Sequence, residues 1–139
     1  MTQYILEIPR LPSSELSPNE LGGNYHKIGR ARKKDKTEAY WSWIEKHPKV
    51  QRPFEKSHLH IAFVVGWITG PGFDEDNALA RSKSFIDGIK KAGAIEDDST
   101  KYLTLSFEVI VDKQLPKQNA EQRRPEKTIL TLSEASSGR

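Results

Sequence analysis

Two short acidic clusters are the residues of this 139-residue chain best suited to chemistry: Asp74-Glu75-Asp76 in the run FDEDN, and Glu96-Asp97-Asp98 in the run AGAIEDDS. In an extended loop, side chains at i and i+2 point the same way, so Asp74 and Asp76 can address one ion. The second cluster brings another carboxylate pair, which meets the first if the strand after it re-enters the same sheet. Three converging carboxylates suit a hard divalent cation such as Mg²⁺, with Mn²⁺ as a substitute, because such ions take oxygen ligands and keep waters for chemistry. A calcium loop of the EF-hand kind is excluded, since Ala78 and Leu79 stand where that pattern needs an oxygen ligand and a glycine. The same acids have a plainer reading. Carboxylates are favoured at helix N-termini by the dipole and by capping, and EDDS is an ordinary solvated lead into a strand.

The elements that would position these acids follow from periodicity. Tyr4 to Ile8 reads as a short strand stopped by Pro9, and the proline-rich stretch to Pro18 reads as an ordered arm at best. From Asn24 to Lys36 the chain is polar and basic and reads as a loop or mobile arm. Tyr40, Trp43, Ile44 and His47 then fall at i, i+3, i+4 and i+7, which predicts a helix over Thr37 to His47 ended by Pro48. Alternation from His58 to Ile68 predicts a strand, broken by the Gly-Pro-Gly run. Asp76 is a suitable N-cap for a helix running to about Lys91 and closed by Gly93. On a wheel of about 100° per residue, Ala78, Ser82, Phe85, Ile89 and Ala92 form the buried stripe of that helix. Lys83 and Asp87 share the opposite side with Asp76, and they also fit an ordinary surface i,i+4 pair. Strands around Lys101 to Asp112 and Thr128 to Leu132 complete the order β-α-β-α-β-β. The expected fold is therefore α+β: one small mixed sheet packed against helices, a single domain over 1–133, and a disordered tail over 134–139.

Charge and composition narrow the function classes. Lys and Arg number 22 against 19 Asp and Glu, yet six of those acids lie in the two clusters; the rest of the chain has 22 cations against 13 acids, a balance of +9. A basic body attracts phosphates, and concentrated carboxylates can hold a metal. Lys27, Arg30, Arg32, Lys33, Lys34 and Lys36 place six cations in ten residues, a candidate DNA-binding arm whose plainer reading is a solvated loop. The absence of cysteine excludes disulfides, a thiol nucleophile and cysteine-ligated metals. The longest apolar run, Ile61 to Ile68, is too short to span a bilayer, and the start MTQYILEIPR has no secretory pattern, so a cytoplasmic protein without membrane association is expected.

Two further features carry less. His58 and His60 share a strand face, but nothing near them in sequence completes a transition-metal site. Trp41 and Trp43 point about 160° apart on the wheel, so at most one of them is expected to stack on a base. Neither a Ser-His-Asp arrangement nor a phosphate-cradling glycine loop is legible.

The stretch FDEDNALARSKSFIDGIKKAGAIEDDS, residues 73–99, resembles the RusA-type Holliday-junction endonucleases. Their signature is an Asp-x-Asp-Asn, a helix with a lysine four residues before an aspartate, an apolar turn with glycine, and a closing Asp-Asp. LEIPRLPSSELSPN and the aromatic and basic run after it are also similar to the family's first strand and loop. The resemblance implies metal ligands at Asp74, Asp76 and Asp98 and a catalytic lysine at Lys83, all four forming the catalytic set. The interval from Asp76 to Lys83 is longer than the family pattern by about one helical turn, and the loop before Asp74 reads TGPG where basic residues often stand in the family; Arg81, about 160° away on the wheel, is the alternative cation. What the resemblance implies for function is a Mg²⁺-dependent homodimer that resolves four-way DNA junctions by paired nicks in recombination and repair, in a bacterial or phage-encoded setting. The alternative is a non-catalytic junction-binding or architectural protein.

Overall fold

A computed structural model describes residues 2–13, 16, 25–65, 75–111 and 126–135, with Tyr25 and residues 75–77 described for their backbone alone. The elements are β1 (Gln3–Ile8), α1 (Tyr25–Lys46), β2 (Ser57–Val65), α2 (Glu75–Lys91), β3 (Leu103–Val111) and β4 (Lys127–Glu134). The four strands form one mixed sheet in the order β1-β4-β2-β3. β4 is antiparallel to both of its neighbours, whereas β2 and β3 are parallel. A parallel pair needs a crossover, and α2 supplies it. The protein is thus a small α+β domain with a mixed four-stranded sheet and two helices.

Period-two alternation sets the inner face of the sheet. Leu59, Ile61 and Phe63 of β2 are fully buried, and the register sets Leu132 and Leu130 of β4 beside the first two, with Leu6 of β1 beyond. The stripe predicted for α2 lies on this face: Ala78, Ser82, Phe85, Ile89 and Ala92 are all buried. Backbone bonds from Gly93 to the Lys90 carbonyl and from Ala94 to the Ile89 carbonyl end the helix in a Schellman turn, which Gly93 enters at φ 95°. Gly88 lets α2 approach α1 closely, since a Cβ there would collide with the Lys36 carbonyl and with the Ala39 side chain.

The basic run expected as a loop is instead the first half of α1, which corrects the boundary at Thr37 by a dozen residues. Ile28, Ala31, Asp35, Ala39 and Trp43 are buried at i, i+3, i+7, i+11 and i+15, a helical stripe in which one member is a carboxylate. Asp35 is 0% exposed. It accepts Arg10 Nη2 at 2.7 Å and Ser13 Oγ at 2.6 Å on one oxygen, and the Ser13 backbone N–H at 2.9 Å on the other. Arg10 also donates to Glu38 at 2.6 Å and to the Leu11 carbonyl, and its guanidinium lies over the Phe85 ring. Burial alone would lower the Arg10 pKa, but the bonds and charges of Asp35 and then Glu38 outweigh it, so the pKa is raised.

Two further boundaries differ from expectation. Asp76 lies inside α2 and not at its cap, because the helix already includes Glu75. β4 extends through Glu134, and the Ala135 N–H bonds to the Lys56 carbonyl, so a tail beginning at 134 is incorrect. Residues 136–139 lie outside the described residues, as do Ile68, the Gly-Pro-Gly run, Asp74 and residues 14, 15, 17 and 18 of the proline-rich stretch.

The Arg10–Asp35 pair makes a stability prediction. Arg10→Ala leaves a buried carboxylate with only Ser13 as donor and should cost about 3–5 kcal/mol, whereas Glu38→Ala, at a half-open site, should cost under about 1 kcal/mol. Arg10→Met combined with Asp35→Leu should recover most of the larger loss, because an apolar pair needs no charge compensation. Urea unfolding of the three variants measures this; equal costs for Arg10→Ala and Glu38→Ala would dismiss the tie.

Candidate metal and nucleic-acid site

Lys83, Asp87 and Lys90 stand at i, i+4 and i+7 on the outer face of α2. The chain leaves α2 through the Schellman turn and comes back along that face, which brings the second acidic cluster onto the lysines. Lys83 Nζ donates to Asp98 Oδ2 at 3.1 Å. Lys90 Nζ lies 3.0 Å from Asp97 Oδ1 and 3.8 Å from Asp98 Oδ1. The Asp98 backbone N–H closes the turn onto Asp97 Oδ1 at 2.9 Å, and Glu96 pairs with Arg52 at 3.2 Å. Each acid of the cluster therefore meets a cation.

The Lys90 hydrogen bond, helped by the Asp98 N–H, holds the Asp97 carboxyl below the usual carboxylate range, and the bond to Asp97 raises the Lys90 pKa in turn. That pair stays ionised over a wider pH span than either group would alone. Lys83 is largely exposed and Asp98 partly so, which leaves their contact open to solvent and to competing ions.

Of the four residues assigned to catalysis, Asp98 and Lys83 are brought together. Asp74 lies outside the described residues, and Asp76 is described for its backbone alone, in the first turn of α2. Among the described residues, no three metal-ligating side chains converge. The donor set suits a hard divalent ion in type, since Asp74, Asp76 and Asp98 would all offer carboxylate oxygen. Arg81 is committed elsewhere: its Nη2 donates to the Pro12 carbonyl at 2.6 Å and pins the segment after β1 to α2.

All six cations assigned to DNA binding are exposed along α1, with Ile28, Ala31 and Asp35 turned inward between them. A rigid helix, not a loop, carries them. Arg32 and Lys36 lie towards one flank and Lys27, Arg30, Lys33 and Lys34 towards another, so the helix presents positive charge over much of its circumference.

The two histidines are not isolated either. Across the parallel register His58 faces Thr104 and His60 faces Ser106. A carboxylate can only accept, so His60 Nε2–H donates to Glu108 at 3.0 Å, and His60 Nδ1 accepts from the Ser106 hydroxyl at 2.6 Å. Ser106 Oγ in turn accepts from His58 Nε2–H at 2.8 Å, and His58 Nδ1 accepts from the Thr104 hydroxyl at 2.6 Å. With both rings neutral, these four bonds run in one direction. Burial first, and the neighbouring His60 second, push the His58 pKa down. Alternation along β2 marked the two histidines as sharing a face, but their partners come from β3 and needed the register.

No protein-family model matches the chain, and no curated protein matches it.

The depressed His58 pKa carries a pH signature. A histidine that prefers to be neutral when folded contributes stability that is complete above its unfolded pKa of 6.5 and is lost as pH falls from there through its folded value. Wild-type melting temperature should therefore drop between pH 7.5 and pH 5.5 by more than that of His58→Gln, as read by circular dichroism. Parallel pH profiles would refute the linkage.

Proposed function

We propose that the chain is a divalent-metal-dependent endonuclease of RusA type, acting on four-way DNA junctions as a homodimer. The reading rests on one contact: Lys83 and Asp98, the residues that the resemblance marks as catalytic cation and metal ligand, lie 3.1 Å apart although 15 residues separate them. A basic helix on the same small domain supplies the means to hold DNA.

In this reading Asp74, Asp76 and Asp98 would hold Mg²⁺ or Mn²⁺, which when bound would supply Lewis-acid activation for hydrolysis of a phosphodiester. Lys83 supplies positive charge for the phosphoryl oxygens as charge develops on them. Its partner Asp98 keeps that amine at the site and oriented before substrate arrives. Lys90 and Asp97 hold the turn that presents Asp98, so they position and do not react. The cations of α1 grip backbone phosphates without reading sequence. A four-armed substrate has two strands to cut, and two-fold pairing of protomers is the economical way to present two sites.

Incubation of a labelled four-way junction and a matched linear duplex with and without Mg²⁺ tests the reading. Cleavage should require Mg²⁺ and favour the junction. Asp98→Asn should abolish cutting while junction binding persists, and Lys83→Ala should slow single-turnover cleavage by about 10²–10³-fold with near-normal affinity. Tight junction binding with no Mg²⁺-dependent product would instead establish the non-catalytic junction-binding alternative.

A second measurement addresses α1 alone. Arg32→Glu with Lys34→Glu should weaken binding to every DNA form and reduce the slope of log affinity against log salt by about 2, two phosphate contacts being lost. An unchanged slope would remove this helix from the phosphate interface.

A further inference from the structure

The two tryptophans of α1, equivalent by composition, have opposite fates. Trp43 is 1% exposed and packs in the core against Tyr4 and His47. Trp41 is 60% exposed. Its ring meets Tyr40 edge-on at 5.0 Å between centroids, and Lys91 Nζ sits 5.4 Å from the centre of the Tyr40 ring. The indole is thus braced from one side and open on the other. A lone exposed tryptophan is unremarkable in itself, so the surroundings decide its meaning.

Those surroundings are a shallow groove of about 530 Å³ along α1, with Arg30, Lys33 and Lys34 towards one end and Trp41 towards the other. Two acids also line it. Glu38 is already held by Arg10 at 2.6 Å, whereas Glu45 stands one turn beyond the indole, on the side away from the cations. The groove is therefore polarised: cations, then an aromatic face, then a carboxylate. From Arg30 to Trp41 is about 16 Å along the helix axis, enough to follow a short run of phosphates on one strand.

We propose that this groove binds single-stranded DNA, with an unpaired base stacked on Trp41 and its backbone running over Lys34, Lys33 and Arg30 towards the start of α1. An aromatic face needs a base whose own face is free, which a fully paired duplex does not offer away from its ends. A phosphate track beside a stacking face is the general chemistry of single-strand recognition, and Glu45 stops the track by repelling a phosphate beyond the indole. The proposal deepens the nuclease reading by naming what the protein would hold when a branch point exposes unpaired bases, and it rests on that reading for its biological setting only.

The test uses the full chain without metal, oligothymidylate as the single strand and a blunt duplex of matched length. Oligothymidylate should quench tryptophan fluorescence in the wild type, and Trp41→Phe should abolish that quench, assigning it to this indole. Trp41→Ala should weaken oligothymidylate binding by about 5- to 150-fold, the worth of one stacked base. Trp41→Phe, which keeps a ring, should lose less, and duplex affinity should hardly move in either variant. Wild-type affinity of Trp41→Ala for oligothymidylate would overturn the proposal, as would an equal loss on duplex and single strand, or a quench that survives in Trp41→Phe. Junction cleavage with Mg²⁺ is scored separately on the same proteins. Trp41-dependent single-strand binding without cleavage would sink the nuclease reading and keep the platform; cleavage with no role for Trp41 would do the reverse.

Discussion

A carboxylate cannot leave water alone, and the structure of this protein turns on the way Asp35 does so. Its position in the inward stripe of α1 means that the first half of the helix can dock only if a cation is delivered to the same spot. Arg10 arrives there from the end of β1, and Ser13, three residues later, fills the remaining acceptor sites. The Arg10 carbonyl meanwhile accepts the Thr128 hydroxyl of β4, and its guanidinium covers Phe85 of α2. One side chain and its own backbone thus join the segment after β1 to α1, to α2 and to the central part of the sheet. With Asp35 fixed inward, the cations between the buried positions have nowhere to go but out. The basic surface of α1 is therefore a consequence of the buried pair as much as of composition.

Electrostatics divides the molecule into two unlike surfaces. Along α1 cations crowd one another with few acids to answer them, an arrangement that costs self-repulsion. Along the outer face of α2, by contrast, lysines and aspartates from the following turn neutralise one another pair by pair. Such exposed pairs add little to stability, so their worth lies in where they hold the side chains.

What spacing could reveal was the strictly local part. The alternation in β2 and the apolar stripe of α2 each depend on a single repeated interval, and both emerge where the predicted residues are described, β2 through Val65. The first half of α1 was missed because its repeat passes through Asp35, which scores as polar until Arg10, 25 positions away, is known to neutralise it. The N-cap role given to Asp76 failed by the small margin with which helix starts are always blurred. The hydroxyl and carboxylate partners of His58 and His60 were invisible for a different reason, since only the parallel register of β2 with β3 aligns them. The pairing of Lys83 with Asp98 likewise needs the reversal at Gly93, which a wheel that treats the helix in isolation does not contain.

The strand order has a consequence in time. β4 is the last of the described strands in sequence, yet it sits between β1 and β2 and supplies a ladder to each. The bond that closes β1 to β4 beside Arg10 spans 118 positions, so the longest loop in the chain must close before the sheet is whole. Until then β2 and β3, linked through α2, can pair, but β1 has no neighbour and the inner face of β2 lacks one wall. Ribosome-bound intermediates would thus expose an unsatisfied strand edge through most of synthesis, and high contact order predicts slow completion thereafter. The gap between β1 and β2 closes only when β4 has been made.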